Sequence, residues 1–216
     1  MGRGPRGARH VRHDIWFRRA REEGYRARSA YKLIEIQEKY KILRKGMGVL
    51  DLGAAPGSWS QVASRFVGPS GRVLAVDLKA IAPGLPTNVF THVGDVFDIS
   101  PEIVRSLIGR SAIDALLSDM APATSGIREV DHLRSMDLCE RAVSVASALL
   151  RPGGAMALKV FEGRELKDFV DTLKPCFDTI RRIKPAGSRD VSVELFVVAL
   201  GYRGPHGGKG EIPLQG

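Results

Sequence analysis

The sequence predicts one α/β domain, a mostly parallel sheet of seven strands with helices on both faces. Three observations carry this. Short apolar runs alternate with segments of helical period between residues 49 and 202. A glycine-rich turn, DLGAAPGSW (51–59), joins the first apolar run to the segment of helical period behind it. Acidic residues then close successive runs at Asp77, Asp95 and Asp119. A chain of 216 residues can bury one sizeable core, and 44% apolar with 26% charged residues is ordinary globular composition. No apolar run reaches the roughly 18 residues needed to span a bilayer, and no apolar stretch follows the basic N-terminus. The expectation is a cytoplasmic protein with no membrane partner.

In chain order, residues 1–13 (MGRGPRGARHVRH) are rich in Gly and Arg and predict a disordered arm. From Asp14 to about Tyr40 apolar residues recur at helical spacing, with Ser29 as N-cap of AYKLIEIQEKY. Tyr31, Ile34 and Glu38 are expected on one face of that helix, and Lys32 pointing away from its core. VLDLG (49–53) and RVLAVDL (72–78) read as buried parallel strands around a helix from Ser58 to Val67. A third strand ends in HVGD (92–95), and a helix over PEIVRSLIG precedes the strand DALLSDM (114–120). SGIREVD (125–131) is expected as a mobile loop over the site. HLRSMDLCERAVSVASALL (132–150) reads as a long helix stopped by Arg151-Pro152-Gly153-Gly154. AMALKVF (155–161) is a strand and residues 164–174 a helix; FDTIRRIKP and SVELFVVALGY form an antiparallel pair. The expected division is an arm at 1–24, a body at 25–202 and a flexible tail at 203–216, with no repeat and no second domain.

The excess charge lies at one end. Residues 1–48 hold 14 basic and 5 acidic residues, and the remaining chain holds 19 of each, so the whole +9 belongs to the N-terminal segment. A basic arm on a neutral body is the footprint of a phosphate-backbone partner. Trp16, Phe17 and Tyr25 could stack on bases. Monomer is the default, since no exposed apolar stripe is evident. Cys139 and Cys176 match no metal or redox spacing and read as reduced packing residues. His10, His13, His92, His132 and His206 show no ligand spacing either, so no metal is expected.

DLGAAPGSW lacks both G-x-G-x-x-G and the Gly-Lys-Ser/Thr of a phosphate loop, which disfavours a diphosphate ligand. Gly53 and Gly57 allow a tight turn and close approach of a ligand to the backbone. Asp77 is placed to accept from ribose hydroxyls, and Asp95 from an adenine amino group. Ribose and adenine contacts without a phosphate cradle suggest S-adenosylmethionine. Lys32, Asp119, Lys159 and Glu194 each sit in or beside an apolar segment, where a charge needs a partner. Two cations and two anions balance, so the four could meet in one site.

DLGAAPGSWSQVA, LAVDL, GD, LLSDMAP, ALKVF and KPAGSRDVSVELFVVA resemble the FtsJ/RrmJ-type RNA ribose 2′-O-methyltransferases from about Tyr25 to Tyr202. The resemblance includes a Lys–Asp–Lys–Glu tetrad in order. It implies a Rossmann-like methyltransferase sheet whose last strand is antiparallel, S-adenosylmethionine (SAM) as methyl donor, and a ribose hydroxyl as acceptor. It places Gly53, Gly57, Trp59, Asp77, Asp95 and Asp119 at the cofactor. It places Lys32, Asp119, Lys159 and Glu194 on the catalytic tetrad. The compact form is similar to members that methylate a uridine of large-subunit ribosomal RNA (rRNA), with no DNA partner. Relatives acting on tRNA, a small-molecule methyltransferase and a non-catalytic RNA-binding assembly factor are the competing readings. A ribose hydroxyl must lose its proton as it is methylated, and a lysine accepts one only when neutral. At the ordinary lysine pKa of about 10.4 that is roughly one molecule in ~10³ near pH 7.5. Lys159 is expected as the base, Asp119 to orient it, Lys32 to stabilise developing charge and Glu194 to position the ribose or a lysine. Arg164, Lys184, Ser188 and Arg189 are weaker candidates for an RNA groove. Met120-Ala121-Pro122 lacks the aromatic that a flipped base would need, which disfavours base methylation.

Overall fold

A computed structural model describes residues 18–185 and 193–205. Residues 18–22 are helical. The elements that follow are α1 (Ala30–Tyr40), β1 (Gly48–Leu52), α2 (Ser58–Val67), β2 (Arg72–Asp77), β3 (Val89–Val93) and α3 (Pro101–Ile108). Then come β4 (Ile113–Ser118), α4 (Arg128–Leu149), β5 (Leu150–Phe161), α5 (Leu166–Leu173), β6 (Phe177–Ile183) and β7 (Glu194–Tyr202). They build one seven-stranded sheet in the order β3-β2-β1-β4-β5-β7-β6. β1 pairs in parallel with β2 and β4, and β4 in parallel with β5. Only β7 runs against its neighbours, β5 and β6. The expected sheet, last strand included, is therefore the observed one.

The strands are apolar on both sides because helices cover both sides. Leu116, Met156 and Val197 face one core with Met136 and Cys139 of α4 and Phe169 of α5. Their strand neighbours Leu117, Ala157 and Val198 face the other core with Leu33 and Ile36 of α1 and Trp59 and Val62 of α2. Cys139 and Cys176 are buried free thiols, and burial pushes Cys139 up to about 12.

Five local expectations are corrected. Ser29 stands at the N-cap position of α1 but does not cap it. Its φ and ψ are already helical, and its hydroxyl meets the Ser58 hydroxyl at 2.7 Å. The buried face of α1 is Ala30, Leu33, Ile36 and Gln37 rather than Tyr31, Ile34 and Glu38, because α1 lies against both α2 and the sheet. Tyr31 is buried too, but Glu38 is exposed and Ile34 only half-buried. Lys32 points away from that apolar core, as expected, but is buried all the same, since Glu194 supplies its counter-charge. Half of SGIREVD is not loop. α4 starts at Arg128, where the Asp131 carboxylate in the first turn accepts from Ser125 N (2.6 Å), Ser125 Oγ (2.8 Å) and Gly126 N (3.2 Å). Glu129 and Asp131 also suit the positive end of the helix dipole. Last, the long helix does stop before Arg151-Pro152-Gly153-Gly154, but β5 starts at Leu150 and not at Ala155, with that segment as an irregular lead-in. Leu150 pairs with Ile113, and the ladder resumes at Ala155 opposite Ala115.

Candidate active site

The site lies where the sheet order reverses. β1 has β2 on one side and β4 on the other, so the crossovers leave a crevice at the carboxyl ends of the strands. Register aligns those ends: Leu52 pairs with both Val76 and Ser118, and Asp77 with Val93. Gly53, Asp77, Asp95 and Asp119 consequently line one cavity of about 550 Å³, together with Leu78, Val96, Phe97 and Met120.

Gly53 has to be glycine. Its φ is +71°, and a Cβ there would lie 2.6 Å from Met120 Cγ and 2.8 Å from Met120 Cα. Gly57, at φ +104°, turns the chain into α2. Asp77 is held by two backbone donors, Ala55 N at 2.9 Å and Lys79 N at 2.8 Å. Asp95 Oδ1 accepts from Phe97 N at 2.9 Å. These carboxylates keep spare lone pairs facing the cavity, so they suit hydroxyl and amino groups of a nucleoside. The lining holds four acids, Asp77, Asp95, Asp119 and Asp137, against two cations, Lys79 and Arg134, and this net negative wall favours a cationic ligand and disfavours a diphosphate. The donor set and the glycine turn therefore fit S-adenosylmethionine. The Trp59 ring does not reach the cavity: it is buried on Phe196, with centroids 5.5 Å apart, and Nε1 donates to Ser29 O at 2.9 Å.

Beside the cavity stand the four charges. Strand parity brings three of them to one face: Asp119 follows Leu117, Lys159 follows Ala157, and Glu194 precedes Phe196, all on the side covered by α1. Lys159 pairs across the sheet with Phe196, and Phe161 with Glu194. Lys32 reaches in from α1. Its Nζ is 3.0 Å from Glu194 Oε2 and lies 5.6 Å from the centre of the Phe196 ring. Lys159 Nζ donates to the main-chain carbonyl of Asp119 and stands 3.0 Å from Asp119 Oδ1. That second contact is an ion pair without hydrogen-bond alignment, so Oδ1 remains a buried acceptor with no hydrogen-bond partner. The structure thus resolves the tetrad into two pairs, Lys32–Glu194 and Lys159–Asp119, bridged by Phe196.

Some residues at the site carried no notice in the sequence reading. Leu78 and Phe97 are 69% and 51% exposed and line the cavity, a placement fitted to cover a flat apolar ligand surface. Asp51 is fully buried beneath the glycine turn. Its Oδ2 accepts from Ser60 Oγ at 2.6 Å while Oδ1 has no hydrogen-bond partner among the described residues. Burial pushes this carboxyl up to about 7; the Ser60 bond opposes the rise, and the charges of Asp119 and Asp77 add to it. A charge inside an apolar strand was the signal available for Asp51. Of the groove candidates, Arg164 and Lys184 are exposed, and Ser188 and Arg189 lie outside the described residues.

Comparison with known proteins finds methyltransferases of this family and fold. The family described as FtsJ-like methyltransferase matches residues 25–202. A ribosomal RNA large subunit methyltransferase E from Nitratidesulfovibrio vulgaris is 46% identical over 191 residues, which is 88% of this chain and 95% of that protein. One of the same name from Methanothermobacter thermautotrophicus is 44% identical over 194 residues, 88% of this chain and 90% of that protein. A crystal structure from Plasmodium falciparum, described as a ribosomal RNA methyltransferase, superposes with a TM-score of 0.75 at 28% identity, covering 83% of this chain and 100% of that one. A fibrillarin from Aeropyrum pernix, solved with bound S-adenosyl-L-methionine, shares the fold at a TM-score of 0.54 and 22% identity, covering 74% of this chain and 68% of that one.

Proposed function

This chain belongs to the FtsJ-like methyltransferase family, and from that premise we propose that it methylates a ribose 2′-hydroxyl of large-subunit ribosomal RNA, on a uridine. S-adenosylmethionine is the cofactor, and when bound it supplies an electrophilic methyl group on a sulfonium. The names of the relatives support the rRNA substrate. The observation that supports ribose chemistry is the Lys159–Asp119 pair at the rim of the acid-walled cavity, with Lys32–Glu194 next to it.

The roles follow from what each group can donate or accept. Gly53 lets the backbone close on the ligand, and Asp77 and Asp95 accept from its hydroxyl and amino groups. Asp119 holds Lys159 through both its carbonyl and its carboxylate, so the amine cannot swing away from the cavity mouth. In its neutral form Lys159 has a lone pair that bonds the proton of the 2′-hydroxyl, while the O–H bonding pair stays on the oxygen as the nucleophile. Lys32, held by Glu194, places a positive charge where the hydroxyl oxygen becomes electron-rich. Glu194, 27% exposed at its side chain, stands at the rim of the site and positions the ribose or a lysine. The N-terminal segment, residues 1–24, supplies the cations that hold the RNA backbone.

The test is methyl transfer to large-subunit rRNA by Lys159→Ala and Lys159→Arg, with SAM binding measured alongside. Both variants are expected to lose turnover by about 10²-fold or more while binding SAM within about twofold of the parent. Turnover near the parent level in Lys159→Ala would sink the assignment.

A further inference from the structure

We infer that Arg26 is a positioning residue for the cofactor site, clamping the β2–β3 loop to the glycine turn. The inference rests on the reading of the acid-walled cavity as the SAM site.

The Arg26 guanidinium spans two segments. Nη1 donates to Pro56 O (3.0 Å), in the turn between β1 and α2, and to Ala82 O (2.6 Å), in the loop between β2 and β3. Nη2 donates to Pro83 O (2.6 Å) in the same loop. The arginine is itself anchored: Arg26 N donates to Gln61 Oε1 (2.9 Å), and Gln61 Nε2 donates to Gly24 O (3.0 Å), tying residues 24–26 to α2.

The loop needs such a clamp. Residues 78–80 and 82–84 are exposed, and among the described residues 79–85 make no backbone–backbone hydrogen bond. Its apolar contact with the turn is Ile81 and Leu85 against Gly57, where a Cβ would meet Leu85 Cδ2 at 3.0 Å and Ile81 Cγ2 at 3.2 Å. Segments with few buried contacts and few backbone bonds open at low cost. Yet Leu78 and Lys79 at its start and Ala55 in the turn all line the cavity. Arg26 therefore joins two parts of one wall from behind. Three carbonyls on two segments match a planar fork of fixed donors; a lysine ammonium is a single point and cannot span them. The arginine makes no contact with the tetrad among the described residues, so its effect falls on cofactor affinity and not on proton transfer.

The experiment measures SAM affinity by titration calorimetry on the full chain, for the parent, Arg26→Ala and Arg26→Lys. Hydrogen exchange of the bonded amides of Ala55, Gly57 and Lys79, in the turn and at the start of the loop, is followed in the same three proteins without ligand. Both variants should bind SAM at least about fivefold more weakly, as expected for losing two or three exposed hydrogen bonds. Exchange at those three amides should accelerate, and kcat at saturating SAM should stay within about twofold. Should Arg26→Ala not fold, Arg26→Lys and its exchange pattern decide. SAM affinity within twofold of the parent, with unchanged exchange, overturns the inference. So does Arg26→Lys binding like the parent, which would mean that charge alone matters, or a rise confined to the KM for RNA. A parent protein that binds no SAM would instead overturn the reading of the cavity, before any variant is compared.

Discussion

Asp51 shows how one atom can shape the behaviour of the site. Its carboxyl is fully buried, and one oxygen lacks a hydrogen-bond partner among the described residues. The folded pKa near 7 is above the ordinary carboxyl value of 3.8, so the folded state holds a proton that the unfolded state has lost between those pH values. Folding stability from this group must then fall as pH rises through that window and level off above about 7. Asp51→Asn removes the titration. Urea midpoints between pH 5.5 and 7.5 should decline less in the variant than in the parent; equal slopes would exclude the effect. The same residue marks the limit of sequence reading. Charges within apolar segments pointed to Lys159, Asp119 and Glu194, whose strands place them together. Asp51 met the same criterion but was read as part of a glycine turn. Arg26 gave no signal, being one arginine in an arginine-rich segment. Helical spacing alone put Lys32 off the core face, and its burial depends on Glu194, 162 residues later in the chain.

At the scale of elements, the turn after β1 carries the sharpest requirement. Gly53→Ala would push a methyl against Met120 backbone atoms at 2.8 and 2.9 Å and hold a non-glycine residue at φ +71°. The expected outcome is a loss of about 1–3 kcal/mol of stability together with weakened SAM binding, read by thermal melts with and without ligand. A variant that melts and binds like the parent would show that β4 shifts freely, against the close packing described. Strands and helices with strong period were legible: α2 is observed as expected, and the β6–β7 pair runs antiparallel. What the sequence did not disclose were contacts made at a distance. The start of α4 depends on Asp131 reaching back to Ser125, and the face that α1 buries depends on where α2 and the sheet lie.

For the whole molecule, charge is divided from chemistry. A body with equal acidic and basic counts carries the cofactor cavity and three of the four clustered charges, and the N-terminal 48 residues carry the net +9 and contribute Lys32. Residues 1–13 contain four arginines. If they contact RNA phosphates, deleting them should lower the slope of log affinity against log salt by up to about 3, at ~0.7 per phosphate. An unchanged slope would remove the arm from the interface. The most direct test of the account is where the methyl group goes. Large-subunit rRNA from a methylation-deficient cell is incubated with labelled SAM and the protein, then digested to nucleosides. The account predicts label in 2′-O-methyluridine, and label in a base-methylated nucleoside or in tRNA alone would contradict it.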